Sequence, residues 1–239
     1  MQFRKLIVQS IIWRGSYFFT VLLLNIFLSR YFQASGTGFI YYISNYFSFI
    51  LLLGSVCLET GMTYYGSQGS ISYQKLSVFS VTWSVLVCSL VFIFLYTSYH
   101  EPSSMVSKDR FLFFSFTYIS GIMLTTYFSA LFYARQDFIT PNLILAGTNA
   151  VLILTFLVSM WLKATGVIEK QFLDYYFFNF LLQGVLICCA FIYKTRHGPF
   201  SLPYASELRR IFSYSLFALS SNLVFFLLYR IDYWFINNT

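Results

Sequence analysis

The feature that most constrains this chain is a series of seven uninterrupted apolar runs, each roughly 19–24 residues long. A helix of about 20 apolar residues crosses the hydrocarbon core of a bilayer. The runs are continuous, whereas the strands of a membrane β-barrel alternate between apolar and polar residues, so they predict helices. They cover residues 11–29, 39–58, 76–96, 111–133, 142–162, 172–193 and 213–236.

The composition agrees with this interpretation. The 239 residues are 58% hydrophobic and only 10% charged, whereas a soluble domain carries about 25% charged residues. So little charge does not cover a water-facing surface, and we predict an all-α, polytopic membrane helix bundle. The net charge of +7 is distributed beside and between the apolar runs. Because no compact basic domain exists, we expect no nucleic-acid partner; the partner of these runs is the lipid bilayer.

The first apolar run predicts a retained membrane helix. It is longer than the about 7–15 apolar residues of a signal peptide, and no A-x-A cleavage site follows it. Lys and Arg in short loops prefer the cytoplasmic side, and eight basic residues against five favour a cytoplasmic N-terminus. The eight are Arg4, Lys5, Lys75, Arg135, Lys194, Arg196, Arg209 and Arg210, and the five are Arg30, Lys108, Arg110, Lys163 and Lys170.

The number of runs predicts a division into lobes. Six crossings return the chain to its starting side, so a second unit can follow in the same orientation, as in parallel repeats. We expect residues 1–198 to form a six-helix N-terminal lobe. Residues 199–239 would supply a connecting loop and the first helix of a second lobe. Because the sequence ends directly after the seventh run, the rest of that lobe is expected from a longer chain or from a partner chain.

A row of polar residues lies along one face of the second run, where polar side chains are costly in hydrocarbon. The row consists of Tyr41, Asn45, Ser48, Ser55 and Glu59. It predicts either the wall of a hydrated cavity, with Glu59 at its cytoplasmic mouth, or a packing seam in which small polar side chains join helices. The sequence leaves both alternatives open.

Charged residues also enter the first and last runs. Arg14 and Asn25 are eleven residues apart and point the same way on a helix. Arg14 is either an anchor that reaches back to the interface or a cation facing a cavity for an anionic head group. Arg230 and Asp232 point to nearly opposite sides, so each needs a partner from another helix or from water.

The remaining polar residues favour packing over chemistry. Asn142 and Asn149 in the fifth run, and Asn179 with Gln183 in the sixth, have helical spacings and are expected to join helices. The sequence contains no nucleotide-binding loop, metal-ligand motif or catalytic-triad pattern. We therefore expect neither enzyme activity nor a cofactor.

Several segments resemble the polysaccharide (O-antigen type) flippases of the multidrug/oligosaccharidyl-lipid/polysaccharide exporter superfamily. Residues 30–39 resemble the first external turn of that family, 58–62 the exit from its second helix, and 213–216 with 229–233 the entry and end of its seventh helix. The resemblance implies a two-lobed, MATE-like bundle in the bacterial inner membrane. Such a bundle moves undecaprenyl-pyrophosphate-linked oligosaccharide outward by alternating access.

The resemblance also implies roles for individual residues. Arg14 and Arg230 would meet phosphate, and Asn25, Asn45 and Asp232 would line the cavity. Other functions stay open: a multidrug/cation antiporter or lipid II flippase of the same superfamily, or a non-transporting membrane subunit or remnant. A membrane-embedded enzyme of the same pathway is disfavoured because every loop is shorter than about 20 residues.

Overall fold

The computed structural model describes residues 2–97, 107–161 and 167–236, and all of its regular structure is helical. This confirms the predicted all-α bundle. The helices are α1 (Gln2–Ser55), α2 (Leu58–Ser67), α3 (Tyr73–Thr97), α4 (Lys108–Ala134), α5 (Ile139–Trp161), α6 (Val167–Thr195) and α7 (Ala205–Ile236).

Six segments of the described residues are long and apolar enough to cross a membrane. They are Ile7–Ala34, Gly36–Ser55, Tyr73–Thr97, Lys108–Ala134, Ile139–Val158 and Gln171–Thr195, and they match the first six predicted runs. The seventh predicted run lies within α7, whose 32 residues extend to Ile236. The side chains of 226–227 and 229–236 are outside the described part of the structure, so the seventh crossing stays a prediction.

The first two spans form a hairpin within α1. The guanidinium of Arg14 lies 4.6 Å from the Tyr133 ring near the last residue of α4, whereas Phe47 packs 5.5 Å from Phe111 near the first. The Ser55 oxygen at the end of the second arm accepts a hydrogen bond from Tyr127, toward the last turns of α4, so the two arms of α1 run in opposite directions. Only Gln33, with φ 55° and ψ −168°, leaves helical geometry between them. The connection between the first two predicted runs, at residues 30–39, is thus a reversal at which one residue leaves helical geometry.

The connection between the second and third predicted runs is itself largely helical, over Leu58–Ser67. The chain resumes as the helix α2, and its Leu58, Gly61, Met62 and Gly66 are buried. Between the two helices, Val56 and Cys57 have φ values of 51° and 52°. The second predicted membrane helix is therefore broken before it reaches its end.

Helix α4 lies at the centre of the bundle and packs most extensively on α6. Their backbones approach closely because glycines face each other. A Cβ added to Gly121 would overlap the backbone carbonyl of Phe180, and one added to Gly184 would lie 2.6 Å from the Gly121 oxygen. Small residues serve this purpose in membrane bundles, where helices attract one another mainly through close packing. Stacked aromatic rings, such as Phe114 and Phe177 at 4.4 Å, continue the contact.

Ionic contacts mark one end of the bundle, which we name the basic end. Lys75 in α3 lies 3.0 Å from Glu207 in α7, and Lys194 in α6 lies 2.7 Å from Asp137 between α4 and α5. Arg135, directly after α4, stacks 5.6 Å from the centre of an α3 aromatic ring. These contacts bring together basic residues that the sequence assigns to the same side of the membrane.

The opposite end is joined by other pairs. Arg110 near the start of α4 lies 2.6 Å from Asp174 in α6. Lys108 lies 4.2 Å from the centre of the Tyr96 ring at the end of α3. Helices α4 and α6 therefore run in the same direction, and α5 returns the chain between them.

We predict that Gly121→Ala lowers the stability of the bundle by about 1–3 kcal/mol, the range for overpacking a well-packed core. The added methyl group meets backbone atoms of α6, which do not move aside as a side-chain tip does. The matched control is Gly147→Ala in α5, where nothing lies within 4 Å of the position that the methyl group would take. Thermal unfolding of the purified protein in detergent measures both variants. Equal melting temperatures for the two would contradict the close α4–α6 contact.

Candidate functional site

The break between α1 and α2 is the most unusual backbone feature among the described residues. Val56 and Cys57 both adopt the left-handed region, which a β-branched residue such as valine rarely occupies. Each such residue costs roughly 1–3 kcal/mol and persists only when its surroundings enforce it. The break frees carbonyl groups that an unbroken helix would have used in its own hydrogen bonds.

Side chains from two other helices satisfy these carbonyls. Trp83 Nε1 in α3 donates to the Gly54 oxygen at 3.1 Å, and the Tyr127 hydroxyl in α4 donates to the Ser55 oxygen at 3.1 Å. Broken helices are tolerated at membrane depth where the surrounding protein restores the missing hydrogen bonds. The break is therefore a built feature supported by both neighbouring helices.

Glu59 begins the chain beyond the break. It lies in the first turn of α2, outside the six membrane spans. Its Oε2 atom is buried and has no hydrogen-bond partner among the described residues. Burial raises the pKa of the Glu59 carboxyl above its usual 4.5, and the hydrogen bond from its own backbone opposes this only in part. The group is thus suited to hold and release a proton, or to bind a small cation.

Helix α7 closes the break on its remaining side. Asn222 Nδ2 donates to Cys57 Sγ at 3.2 Å, and a Cβ added to Gly61 would lie 2.6 Å from the hydroxyl of Ser215. That buried hydroxyl has no hydrogen-bond partner in the described structure. The site thus brings together α2, α3, α4 and α7, with the break at its centre.

The polar row of the second span lies partly against α4. The hydroxyls of Ser48 and Tyr118 share a hydrogen bond of 3.1 Å, so Ser48 joins two helices. Asn45 is half-buried and Tyr41 is exposed. Ser48 therefore belongs to a packing seam between two helices. At the end of the row, the buried and unpaired Oε2 atom of Glu59 leaves the hydrated cavity as an open alternative.

The charged residues of the first and last spans lie apart from the break. Arg14 is exposed and stacks on Tyr133, and Asn25 is half-buried on the same span. None of the described contacts joins either residue to Glu59. The side chains of Arg230 and Asp232 lie outside the described part of α7, so their predicted roles stay predictions.

Asn149 of α5 forms one buried network with Asn179 and Gln183 of α6, whereas Asn142 accepts a hydrogen bond from Tyr133 of α4. Asn149 Oδ1 accepts hydrogen bonds from Asn179 at 3.1 Å and Gln183 at 2.8 Å. Asn149 also donates to Thr20 in the first span at 3.4 Å. The prediction that these amides join helices is confirmed, and the network holds three spans together.

Sequence reasoning did not identify Trp83, Tyr127 or Cys57 as parts of the site. Their roles depend on where the helix breaks, and Val56 and Cys57 are not residues that normally accept a left-handed backbone. The only available signal is the glutamate directly after the break, because a carboxylate bordering an apolar run is rare.

Comparison of the chain with protein-family models, with curated proteins and with solved structures finds no match in any of the three.

We predict that Glu59→Gln stabilises the protein more at about pH 8 than at about pH 5. A raised pKa in the folded state means that the carboxyl costs stability once it ionises, so the stability of the unaltered protein falls as the pH rises through that pKa. Glutamine does not ionise, and we expect its melting temperature to exceed that of the unaltered protein by roughly 2–4 °C at the higher pH.

The control for this experiment is Asp109→Asn, which removes an exposed carboxyl in the first turn of α4. It should change the melting temperature little at either pH. A loss of stability in Glu59→Gln that is equal at both pH values would contradict the pH dependence.

Proposed function

We propose that this chain is part of a membrane transporter that moves a lipid-linked oligosaccharide across the bilayer by alternating access. The observation that carries the proposal is the broken helix at Val56 and Cys57, with the buried carboxyl of Glu59 beside it. Discontinuous membrane helices in transporters place polar groups at the substrate or ion pathway. The many-helix architecture is consistent with such a protein.

The resemblance to polysaccharide flippases and the position of Arg14 support the choice of substrate. The guanidinium lies on an exposed face of the first span, against the aromatic ring of Tyr133. In the described part of the chain no carboxylate lies within salt-bridge distance of it. A planar guanidinium donates bidentate hydrogen bonds to phosphate. We propose that it meets the pyrophosphate of an undecaprenyl-linked substrate.

The proposed orientation places the basic end in the cytoplasm. Lys75, Arg135 and Lys194 lie at this end, and the positive-inside rule assigns such clusters to the cytoplasmic side. The N-terminus would then be cytoplasmic, and substrate would load from the basic end. A bacterial inner membrane is the location that the proposed substrate requires.

We predict that Arg14→Ala lowers surface polysaccharide in the native organism by about tenfold or more at equal protein level. The loss corresponds to one charge-assisted contact to phosphate. Arg14→Lys should give an intermediate level of surface polysaccharide, because lysine keeps the positive charge but lacks the planar guanidinium that donates two parallel hydrogen bonds. Arg30→Ala, an exposed arginine of the same span at its other end, serves as the control. If Arg14→Ala and Arg30→Ala give equal surface polysaccharide, the proposed role of Arg14 is wrong.

A cation-coupled antiporter is the second candidate, and the buried, unpaired Glu59 Oε2 favours it. In this case the carboxyl would exchange a proton for a cationic substrate. The Glu59 carboxyl lies on α2 directly beyond the break, where Tyr127 of α4 and Cys57 are the neighbouring titratable groups.

For the antiporter we predict that Glu59→Gln abolishes proton release from inside-out membrane vesicles when sodium ions or a cationic dye are added. Glu59→Asp should keep a measurable fraction, since it keeps the titratable group, and Asp109→Asn should behave like the unaltered protein. Undiminished proton release in Glu59→Gln excludes Glu59 as the coupling residue. No release in any protein, together with loss of surface polysaccharide in Arg14→Ala, favours the flippase.

A further inference from the structure

A cleft of about 590 Å³ opens at the basic end, beside the first two turns of α7. Its wall is formed by Tyr65, Ala205, Ser206, Arg209, Arg210 and Ser213. The α7 residues are spaced by three, four and seven positions, which places them along one face of the helix. Tyr65, near the end of α2, supplies the opposite wall, so the cleft lies between α2 and α7.

Among the residues that the structure describes, no carboxylate lies within salt-bridge distance of the two arginines of the cleft. Glu207 is the acidic residue of this turn, but Lys75 donates to both of its oxygens at 3.0 Å, and the Tyr204 backbone N–H donates to it at 2.7 Å. Burial opposes ionisation of Glu207, but these donors, together with the positive charges of Lys75 and Arg210, hold its pKa below the usual value. Neither Arg209 nor Arg210 forms a salt bridge within the described residues. Arg210 attracts Glu207 only from beyond that distance, so both guanidinium groups can donate hydrogen bonds to a ligand in the cleft.

Other groups in the cleft also favour an anion. The hydroxyls of Ser206 and Ser213 are donors on the same helix face. The cleft includes the first turn of α7, where backbone N–H groups and the helix dipole carry partial positive charge. A ligand with several acceptor oxygens and a negative charge, such as a phosphate group, matches these donors.

The same face of α7 continues into an apolar surface. Leu216 and Phe217 are three and four residues beyond Ser213, and they are 52% and 80% exposed. A phosphate held by Arg209 and Arg210 would therefore have a bare hydrocarbon-facing strip of the helix directly below it. A charged site followed by an apolar strip matches the headgroup and chain of a lipid. A free phosphate would contact the arginines alone and leave Leu216 and Phe217 uncovered.

We propose that the cleft between α2 and α7 binds the phosphate headgroup of an anionic lipid, whose acyl or prenyl chain lies along Leu216 and Phe217. The site stands on its own geometry and does not depend on the proposed transport function. The phosphate can belong to a phospholipid or to a polyprenyl carrier lipid, because the cleft recognises the chemistry that the two share.

The test is native mass spectrometry of the full chain in detergent, with a separate titration for each of four compounds. These are phosphatidic acid, phosphatidylcholine, undecaprenyl diphosphate and inorganic pyrophosphate. We expect the two anionic lipids to bind more tightly than phosphatidylcholine, and pyrophosphate to bind more weakly than either. The tighter of the two anionic lipids identifies the source of the phosphate.

Arg209→Gln/Arg210→Gln should weaken binding of the preferred anionic lipid by about tenfold or more, since each guanidinium contributes a charge-assisted contact. Arg209→Gln alone should give a smaller loss, and it keeps the test intact if the double variant folds poorly. The control is Arg196→Gln, an exposed arginine at the basic end that stacks on Tyr193 outside the cleft. It should change the affinity by less than about twofold.

Three results would overturn the proposal. Equal binding by the double variant and the unaltered protein excludes the two arginines as ligands. An equal loss in Arg196→Gln shows that general surface charge, not the cleft, attracts the lipid. Pyrophosphate binding as tight as that of the lipids shows that the apolar strip contributes nothing, so the cleft would take a soluble anion.

Discussion

The constraint on which this structure depends is that backbone polar groups in hydrocarbon must find their partners within the protein. The six spans meet it by remaining helical, except at Gln33 near the end of the first span. At Val56 and Cys57 the helix is broken, and the constraint is met there by side chains. The Gly54 and Ser55 carbonyls accept hydrogen bonds from Trp83 and Tyr127. Because these two donors come from α3 and α4, the break fixes the rotation of three helices relative to one another.

The centre of the bundle follows a second consequence of the same solvent. Lipid is as apolar as leucine, so helices gain little from burying apolar side chains against each other. The α4–α6 contact instead uses Gly121 and Gly184 to bring backbones together. Around it, the amides of Asn149 and Gln183 make hydrogen bonds that lipid does not offer. Close packing and polar bonds thus replace the hydrophobic core of a soluble domain.

The sequence predicts those parts of the arrangement that depend on composition and on the helical spacing of residues. Six spans are visible as apolar runs, and the Asn149 network follows from amides at helical spacings. The sequence predicts a turn between the first two runs, at residues 30–39. It does not indicate that Gln33 alone leaves helical geometry there, or that the helix breaks at Val56, because neither residue is a glycine or proline. The sequence indicates Glu59 as a candidate site residue. The burial of its Oε2 atom depends on α2 being a helix, and the glycines of residues 58–67 do not predict a helix there.

Helix α2 connects the two polar features that the sequence leaves separate. Its first turn carries Glu59 beside the break, and its last turn faces α7 across the cleft, where Tyr64 stacks on Tyr214 at 4.7 Å. Helix α7 packs mainly against α2, so its position is set by that contact and by the Lys75–Glu207 pair. A displacement of α7 would therefore act on the Asn222–Cys57 hydrogen bond at the break. The short helix α2 therefore borders both the break and the cleft, and α7 contacts it at each of them.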